Sequence, residues 1–143
     1  MKLRKSINTF EVLEHTADIG IIAYGEDLKQ AFSHAAEGLF SLIIDLDTVR
    51  EKSVRLVKVS AGDVEMLLAS WLNELIYIFD VEHLIFKRFE ITEIAGEQLT
   101  ANCYGEKVNR RRHELKRGVK AATYHKLQVV KGDGYRVQVI FDV

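Results

Sequence analysis

The stretch Asp63-Val64-Glu65-Met66-Leu67-Leu68-Ala69-Ser70-Trp71-Leu72-Asn73-Glu74-Leu75-Ile76-Tyr77-Ile78-Phe79 decides the fold class. Val64, Leu67, Leu68, Trp71, Leu72, Leu75, Ile76 and Phe79 recur at helical spacing and form one stripe. Ser60-Ala61-Gly62-Asp63 just ahead of them supplies turn and N-cap chemistry. After Asp80 the period changes. Leu84-Ile85-Phe86 through Ile94 reads as one long or broken strand, and Leu99-Thr100-Ala101-Asn102-Cys103-Tyr104 alternates and pairs back on it across Ala95-Gly96-Glu97-Gln98. A helix with one apolar stripe, followed directly by strands, must bury that stripe on a sheet.

The same logic extends toward the N-terminus. Asp27 opens an earlier helix, and Gln30 three residues on completes a capping-box-like pair. Leu28, Ala31, Phe32, Ala35, Leu39, Phe40 and Ile43 share its buried stripe. Gly38 within that helix costs about 1 kcal/mol relative to alanine, and marks a close packing contact. His34 beside the stripe reads as a surface or boundary histidine. Phe10-Glu11-Val12-Leu13 and Ile19-Gly20-Ile21-Ile22-Ala23-Tyr24 read as the first two strands, and Val54 to Val59 as a strand with one wet face. Toward the C-terminus, Thr123 to Val130 and Tyr135 to Phe141 form a final hairpin across Lys131-Gly132-Asp133-Gly134. Residues 1–9 read as a flexible N-terminal arm. The expectation for 1–143 is a single α+β domain: a mostly antiparallel or mixed β-sheet system with two principal amphipathic helices.

Composition excludes several function classes. The chain has 143 residues and a formal net charge of −1, so nothing pushes it as a whole toward nucleic acid or membrane. Its longest apolar run, Leu75-Ile76-Tyr77-Ile78-Phe79, is far too short to span a bilayer. The single cysteine, Cys103, cannot build a disulfide framework or a cysteine-rich zinc site. It sits in an alternating strand and reads as a buried thiol. These features together imply a cytoplasmic protein with no membrane contact.

Candidate chemistry concentrates in a few places. Glu14-His15-Thr16-Ala17-Asp18-Ile19-Gly20 puts a carboxylate, an imidazole and a hydroxyl between two strands, as a polar loop or a site. The chain finishes on Asp142 and Val143. If the last strand runs beside the early ones, Asp18, Asp142 and the terminal carboxylate converge, and such a cluster is repulsive unless a cation compensates it. Oxygen donors alone select hard ions: Ca²⁺, Mg²⁺ or Mn²⁺. The alternative is that Asp142 is an exposed terminal charge. Lys120, in Lys120-Ala121-Ala122-Thr123-Tyr124-His125, is a point charge suited to a phosphate or a carboxylate, or simply a solvated lysine at a strand start. The run Lys107, Arg110, Arg111, Arg112, Lys116 and Arg117 can hold phosphates. It lacks interleaved aromatics for base stacking, which favours a solvated face or protein-docking patch.

Four blocks in register resemble the archease family: Glu14 to Gly20, Leu67-Leu68-Ala69-Ser70-Trp71-Leu72-Asn73-Glu74-Leu75, Val119-Lys120-Ala121-Ala122-Thr123-Tyr124-His125 and the ending Val139-Ile140-Phe141-Asp142-Val143. The resemblance covers the chain from Phe10 onward. It implies a small cytosolic partner of the RtcB-type tRNA-splicing RNA ligase, itself not an enzyme. The family's role is to promote ligase guanylylation and multiple turnover and to broaden nucleotide triphosphate use. By matching motif positions, it implies that Asp18, Asp142 and Val143 bind a divalent metal, Ca²⁺ in a crystal and Mg²⁺ or Mn²⁺ in the cell. It also implies that Lys120 serves ligase activation, with RNA contact indirect or weak. His15 reads as outer support, because imidazole is not the preferred donor for a hard ion. The basic run matches no fixed family element and receives no site role. Two alternatives stay open: a metal-dependent hydrolase using Asp18, Asp142 and His15, and a chaperone-like or RNA-binding module using the basic stretch.

Overall fold

The computed structural model describes residues 9–14 and 18–143, so the arm expected over residues 1–9, apart from Thr9, and His15 lie outside the described residues. In chain order the elements are β1 Phe10–Glu14, β2 Asp18–Gly25, α1 Leu28–Ile43, a 3₁₀ turn Leu46–Thr48, β3 Ser53–Ser60, α2 Val64–Glu82, β4 Leu84–Ala95, β5 Gln98–Lys107, β6 Ala121–Ala122, β7 Gln128–Lys131 and β8 Tyr135–Asp142. The first sheet runs β1-β2-β8-β6, with β7 also paired to β8, and the second runs β3-β5-β4. All pairings among the described residues are antiparallel. The expected α+β architecture with two principal helices is present.

Helix α1 lies between the sheets, packing on β2 from one and β4 from the other. Its start follows from sequence: Asp27 accepts the Gln30 N–H at 2.9 Å. The return arm is displaced by one residue, since the Gln30 side chain accepts from Glu26 N–H rather than from Asp27. Gly38 is where the helix approaches β2: a Cβ there would stand 2.9 Å from Ile21 Cγ2. The close contact expected at this glycine is real. His34 is a half-buried boundary residue whose Nδ1 lies 2.6 Å from the Tyr24 carbonyl.

Helix α2 closes the core from another side. Asp63 caps it by accepting from Met66 N–H. Fully buried Trp71 donates its indole N–H to the Phe32 carbonyl of α1 at 3.0 Å and stands edge-on to Phe89 of β4. Phe40, Phe86 and Phe89 complete an aromatic cluster. The helix ends at His83, which takes a left-handed conformation, φ 60°, and lets β4 begin at the next residue. Cys103 is buried as expected, and burial pushes its thiol up to about 12.

One expected strand is interrupted. Thr123 to Val130 is not continuous: β6 pairs with the end of β8, β7 pairs with its start, and residues 123–127 bulge out opposite Val139 and Ile140. Thr123 still donates its amide and its hydroxyl to the Ile140 carbonyl. Its Oγ1 then accepts from His125 N–H, and Lys126 turns into the left-handed region at φ 53°. A local side-chain bond thus competes with the ladder and wins.

The segment from Val108 to Lys120 has no regular secondary structure, yet it is fixed by a buried charge network. Glu106, at the end of β5, accepts from Arg112 at 2.6 Å, from the Arg50 amide at 2.8 Å and from His113 Nε2 at 3.0 Å. Asn109 N–H donates to His113 Nδ1, so the ring proton sits on Nε2, which faces Glu106 and the Thr48 carbonyl. Burial opposes ionisation of Glu106, but the Arg112 guanidinium, the Arg50 amide and the His113 bond outweigh it and hold its carboxyl at about 2. The folded value lies below the ordinary glutamate value, so the stabilisation is complete above about pH 5 and is lost as pH falls toward 2, an effect of roughly 3 kcal/mol. Glu106→Gln is expected to destabilise the protein by a few kcal/mol at neutral pH. It is also expected to flatten the stability loss on acidification, read by denaturant unfolding between pH 6 and pH 3. Equal pH slopes in both proteins would remove Glu106 from this role.

Candidate functional site

The pairing of β2 with β8 places Asp18 directly opposite Asp142. Alternation then separates the faces: Ile19, Ile21 and Ala23 with Val137, Val139 and Phe141 enter the core, and Asp18 and Asp142 share the other face. Side chains of directly opposed residues have Cβ atoms about 4.5–5.5 Å apart, and like charges there destabilise the pair. Asp18 is half-buried, whereas Asp142 and Val143 are exposed. Gly20, two residues along on the same face, leaves room for Ile140: a Cβ on Gly20 would meet Ile140 Cδ1 at 2.8 Å. The floor beside the carboxylates is therefore apolar and tightly packed.

Lys120 arrives at the same corner. Its amide donates to the Asp142 carbonyl at 2.8 Å, and Ala121 pairs with Asp142 in β6. The structure thus brings Asp18, Asp142, Val143 and Lys120 together from both ends of the chain and from the segment before β7. Among the described residues no set of three or more His, Cys, Asp or Glu side chains converges. Were a cation held here, the donors would be the two carboxylates and the main-chain oxygens of Val143, an oxygen-only chemistry suited to a hard divalent ion with positions left open. His15 lies outside the described residues, so its support role is a matter of sequence alone.

Asn73, given no role on sequence grounds, fastens the short strand that follows Lys120. Asn73 of α2 accepts from Ala122 N–H at 2.8 Å and donates to the Ala122 carbonyl at 3.2 Å. Its side-chain amide serves as a neighbouring strand for β6, whose two residues, Ala121 and Ala122, pair on the other side with β8. Although Ser70 and Glu74 nearby are polar too, the available signal was an amide side chain next to the apolar stripe of α2. What it bonds, however, lies 49 residues away in sequence.

The basic run divides into two halves by what its side chains contact. Arg112 is committed to Glu106, Lys116 donates to the Ser41 carbonyl, and Arg117 lies 3.4 Å from Glu14 in an exposed pair. Lys107, Arg110 and Arg111 remain, and they join Lys52 around a groove of about 690 Å³ that also includes Ser53, Glu106, Val108, Asn109 and Arg112. That groove shares no residue with the Asp18–Asp142 corner.

Comparison with known proteins bears on the family and the fold. The sequence profile of the archease protein family matches residues 10–143. The protein archease of Pyrococcus abyssi is 44% identical over 140 residues, covering 94% of this chain and 98% of the relative. That of Methanosarcina acetivorans is 39% identical over 139 residues, covering 94% and 95%. The solution structure of Methanobacterium thermoautotrophicum protein 1598 matches with a TM-score of 0.82 at 34% identity, covering 94% of this chain and 99% of its own. A Thermotoga maritima archease, described as a possible chaperone, shares the fold with a TM-score of 0.59 at 20% identity, covering 93% and 96%. With its profile matched across both ends of the Asp18–Asp142 pairing and close relatives spanning nearly its whole length, this chain belongs to the archease family.

Proposed function

We propose that this protein is a non-catalytic activator of an RtcB-type RNA ligase, acting in the cytoplasm by transient protein contact to promote ligase guanylylation and multiple turnover. The observation that carries the reading is the meeting of Asp18 and Asp142 across β2 and β8, with the Lys120 main-chain amide bonded to the Asp142 carbonyl beside them. In this reading Asp18, Asp142 and the main-chain oxygens of Val143 hold a divalent ion, and Lys120 presents a mobile positive charge next to it. A bound divalent ion supplies charge neutralisation to a nucleotide's phosphates. The chain's own contribution is positional: the β2–β8 register aligns the carboxylates, and Asn73 fixes the short strand that directly follows Lys120. No helix among the described residues is long and apolar enough to cross a membrane, in keeping with a partner met in solution. RNA contact through this corner is indirect.

The test is a ligation assay with limiting ligase, GTP and Mn²⁺, counting products per ligase with and without this protein. Addition is expected to convert a single turnover into many. Lys120→Ala and Asp18→Ala are expected to lower that stimulation by tenfold or more, each factor of ten being about 1.4 kcal/mol of barrier. Full stimulation by either variant would discard this site assignment. Phosphoesterase activity of the protein alone would favour the hydrolase built on the same carboxylates.

Asn73→Ala leaves Lys120 chemically intact but unlatches β6. It is expected to reduce stimulation several-fold, with a thermal midpoint that falls by only a few degrees, since one partly exposed hydrogen-bonded pair contributes about 1–2 kcal/mol. Asn73→Asp keeps the acceptor for Ala122 N–H and should recover part of the activity. If neither variant alters stimulation, Asn73 is structural only.

Cation binding has its own readout. A hundredfold excess of Ca²⁺ or Mn²⁺ over its dissociation constant stabilises by about 2.7 kcal/mol, a rise of roughly 5–10 °C in a domain of this size. Asp142→Asn is expected to abolish that rise, yet in chelator to match or exceed the parent's midpoint, because it removes the cross-strand repulsion. A cation-induced rise that persists in Asp142→Asn would place the ion elsewhere.

A further inference from the structure

The groove beside Glu106 is the feature that the activator reading leaves unused. Its cations come from two parts of the chain: Lys52 precedes β3, while Lys107 is the last residue of β5 and Arg110 and Arg111 follow it. The fold gathers them because Ser53 pairs with Gly105 and the Lys52 amide donates to the Gly105 carbonyl. The turn carrying Arg110 and Arg111 is held from beneath. Asn109 Oδ1 accepts from Arg111 N–H, and the Asn109 carbonyl accepts from the amides of Arg112 and His113. His113 and Arg112 in turn bond Glu106.

Charge in the groove is one-sided. Glu106 is the carboxylate of its lining, and it is buried and already shared between Arg112, His113 and the Arg50 amide. Lys52, Lys107, Arg110 and Arg111 are all exposed, and among the described residues no salt bridge engages them. Nearby acids are spoken for: Glu82 pairs with Arg55 and Glu51 with Arg88. Glu114, exposed two residues beyond Arg112, is the acid of the basic run and lies outside the lining.

The lining also says what kind of anion fits. Val108 is its apolar member, and it has no aromatic side chain. A protein-docking hot spot is built on buried aromatic or aliphatic anchors, and none is offered here. Base stacking has no platform either. What remains is recognition of repeated negative charge by arginine forks and lysine point charges. We propose that this groove binds the phosphodiester backbone of single-stranded RNA, weakly and without sequence preference. The site uses none of Asp18, Lys120, Asp142 or Val143, so it stands apart from the activator reading.

The test is fluorescence anisotropy of a labelled oligouridylate of about 12 nucleotides, within the span such sites cover, titrated with the full-length protein across a salt series. Neutralising phosphates with four side chains predicts a log–log salt slope between about −2 and −3, and removing two of them lowers its magnitude by about 1.4. Arg110→Glu combined with Arg111→Glu is expected to weaken binding at least tenfold at low salt. Lys52→Gln combined with Lys107→Gln, a milder change on a different segment, should weaken it several-fold with unchanged thermal stability. Lys120→Ala should bind as the parent does, whatever it does to a ligase. Absence of binding at low salt overturns the proposal, as does binding indifferent to both pairs of substitutions. Competition by polyglutamate of equal charge as strong as by unlabelled RNA would make the groove a site for acidic protein segments. Equal competition by free triphosphate would make it a small-anion site.

Discussion

The register between β2 and β8 is the constraint on which both the core and the candidate site depend. These strands come from opposite ends of the chain, and their pairing runs unbroken from Asp18↔Asp142 to Gly25↔Tyr135. A slip of one residue in either strand would exchange its faces. Ile19 and Ile21 or Val139 and Phe141 would then meet water, and an aspartate would enter the core. Each large apolar side chain removed from water contributes about 1.5–3 kcal/mol, whereas opposing two like charges across a partly wet pair costs at most about 1 kcal/mol. The apolar residues therefore dictate the register, and the carboxylates are forced to face each other. Function on this corner, if a cation is involved, uses a repulsion that packing has already imposed.

Much of this architecture was legible from periodicity. Both helices and their aspartate caps, the glycine contact at Gly38, and the β4–β5 hairpin with its glycine turn follow from local pattern. Gly96 has the positive φ, 59°, that such a turn needs. The break at residues 123–127 was not legible, because Thr123-Tyr124-His125-Lys126 alternates as a strand does. What interrupts it is a threonine hydroxyl serving both His125 and Ile140, and this choice depends on β8 being present. The convergence of Asp18 with Asp142 was conditional in the sequence. It required knowing that the last strand lies beside the second, a pairing whose ends are separated by nearly the whole chain.

The least legible part was the segment from Val108 to Lys120. As a sequence it is a charge run, and a charge run ordinarily solvates. His113 is instead among the most buried residues, and Glu106, at the end of an alternating strand, is its partner. A buried carboxylate without compensation would be costly. With a guanidinium, an imidazole N–H and a backbone amide on it, the same group becomes a rigid anchor. No spacing rule connects Arg50, Glu106, Arg112 and His113, because their meeting is made by the β3–β5 pairing and the turn at Asn109.

That anchor explains how an irregular segment can hold two different surfaces at fixed positions. At its start, the Glu106 network sets the turn that carries Arg110 and Arg111. In its middle, Lys116 donates its amide to the Ile43 carbonyl and its ammonium to the Ser41 carbonyl, closing the free C-terminal end of α1. At its end, the Lys120 amide joins the Asp142 carbonyl and Asn73 fastens Ala122. Three tethers separated along the segment remove the freedom that a loop of this length would otherwise keep. Each tether is also a contact to a different layer: the second sheet, the central helix, and the first sheet with α2. The segment is thus the strap that ties the layers together, and its basic composition has two origins. Arg112 and Lys116 turn inward on tethers and Arg117 pairs with Glu14 at the surface, which leaves Arg110 and Arg111 outward at its start, next to Lys107 of β5, and Lys120 outward at its end.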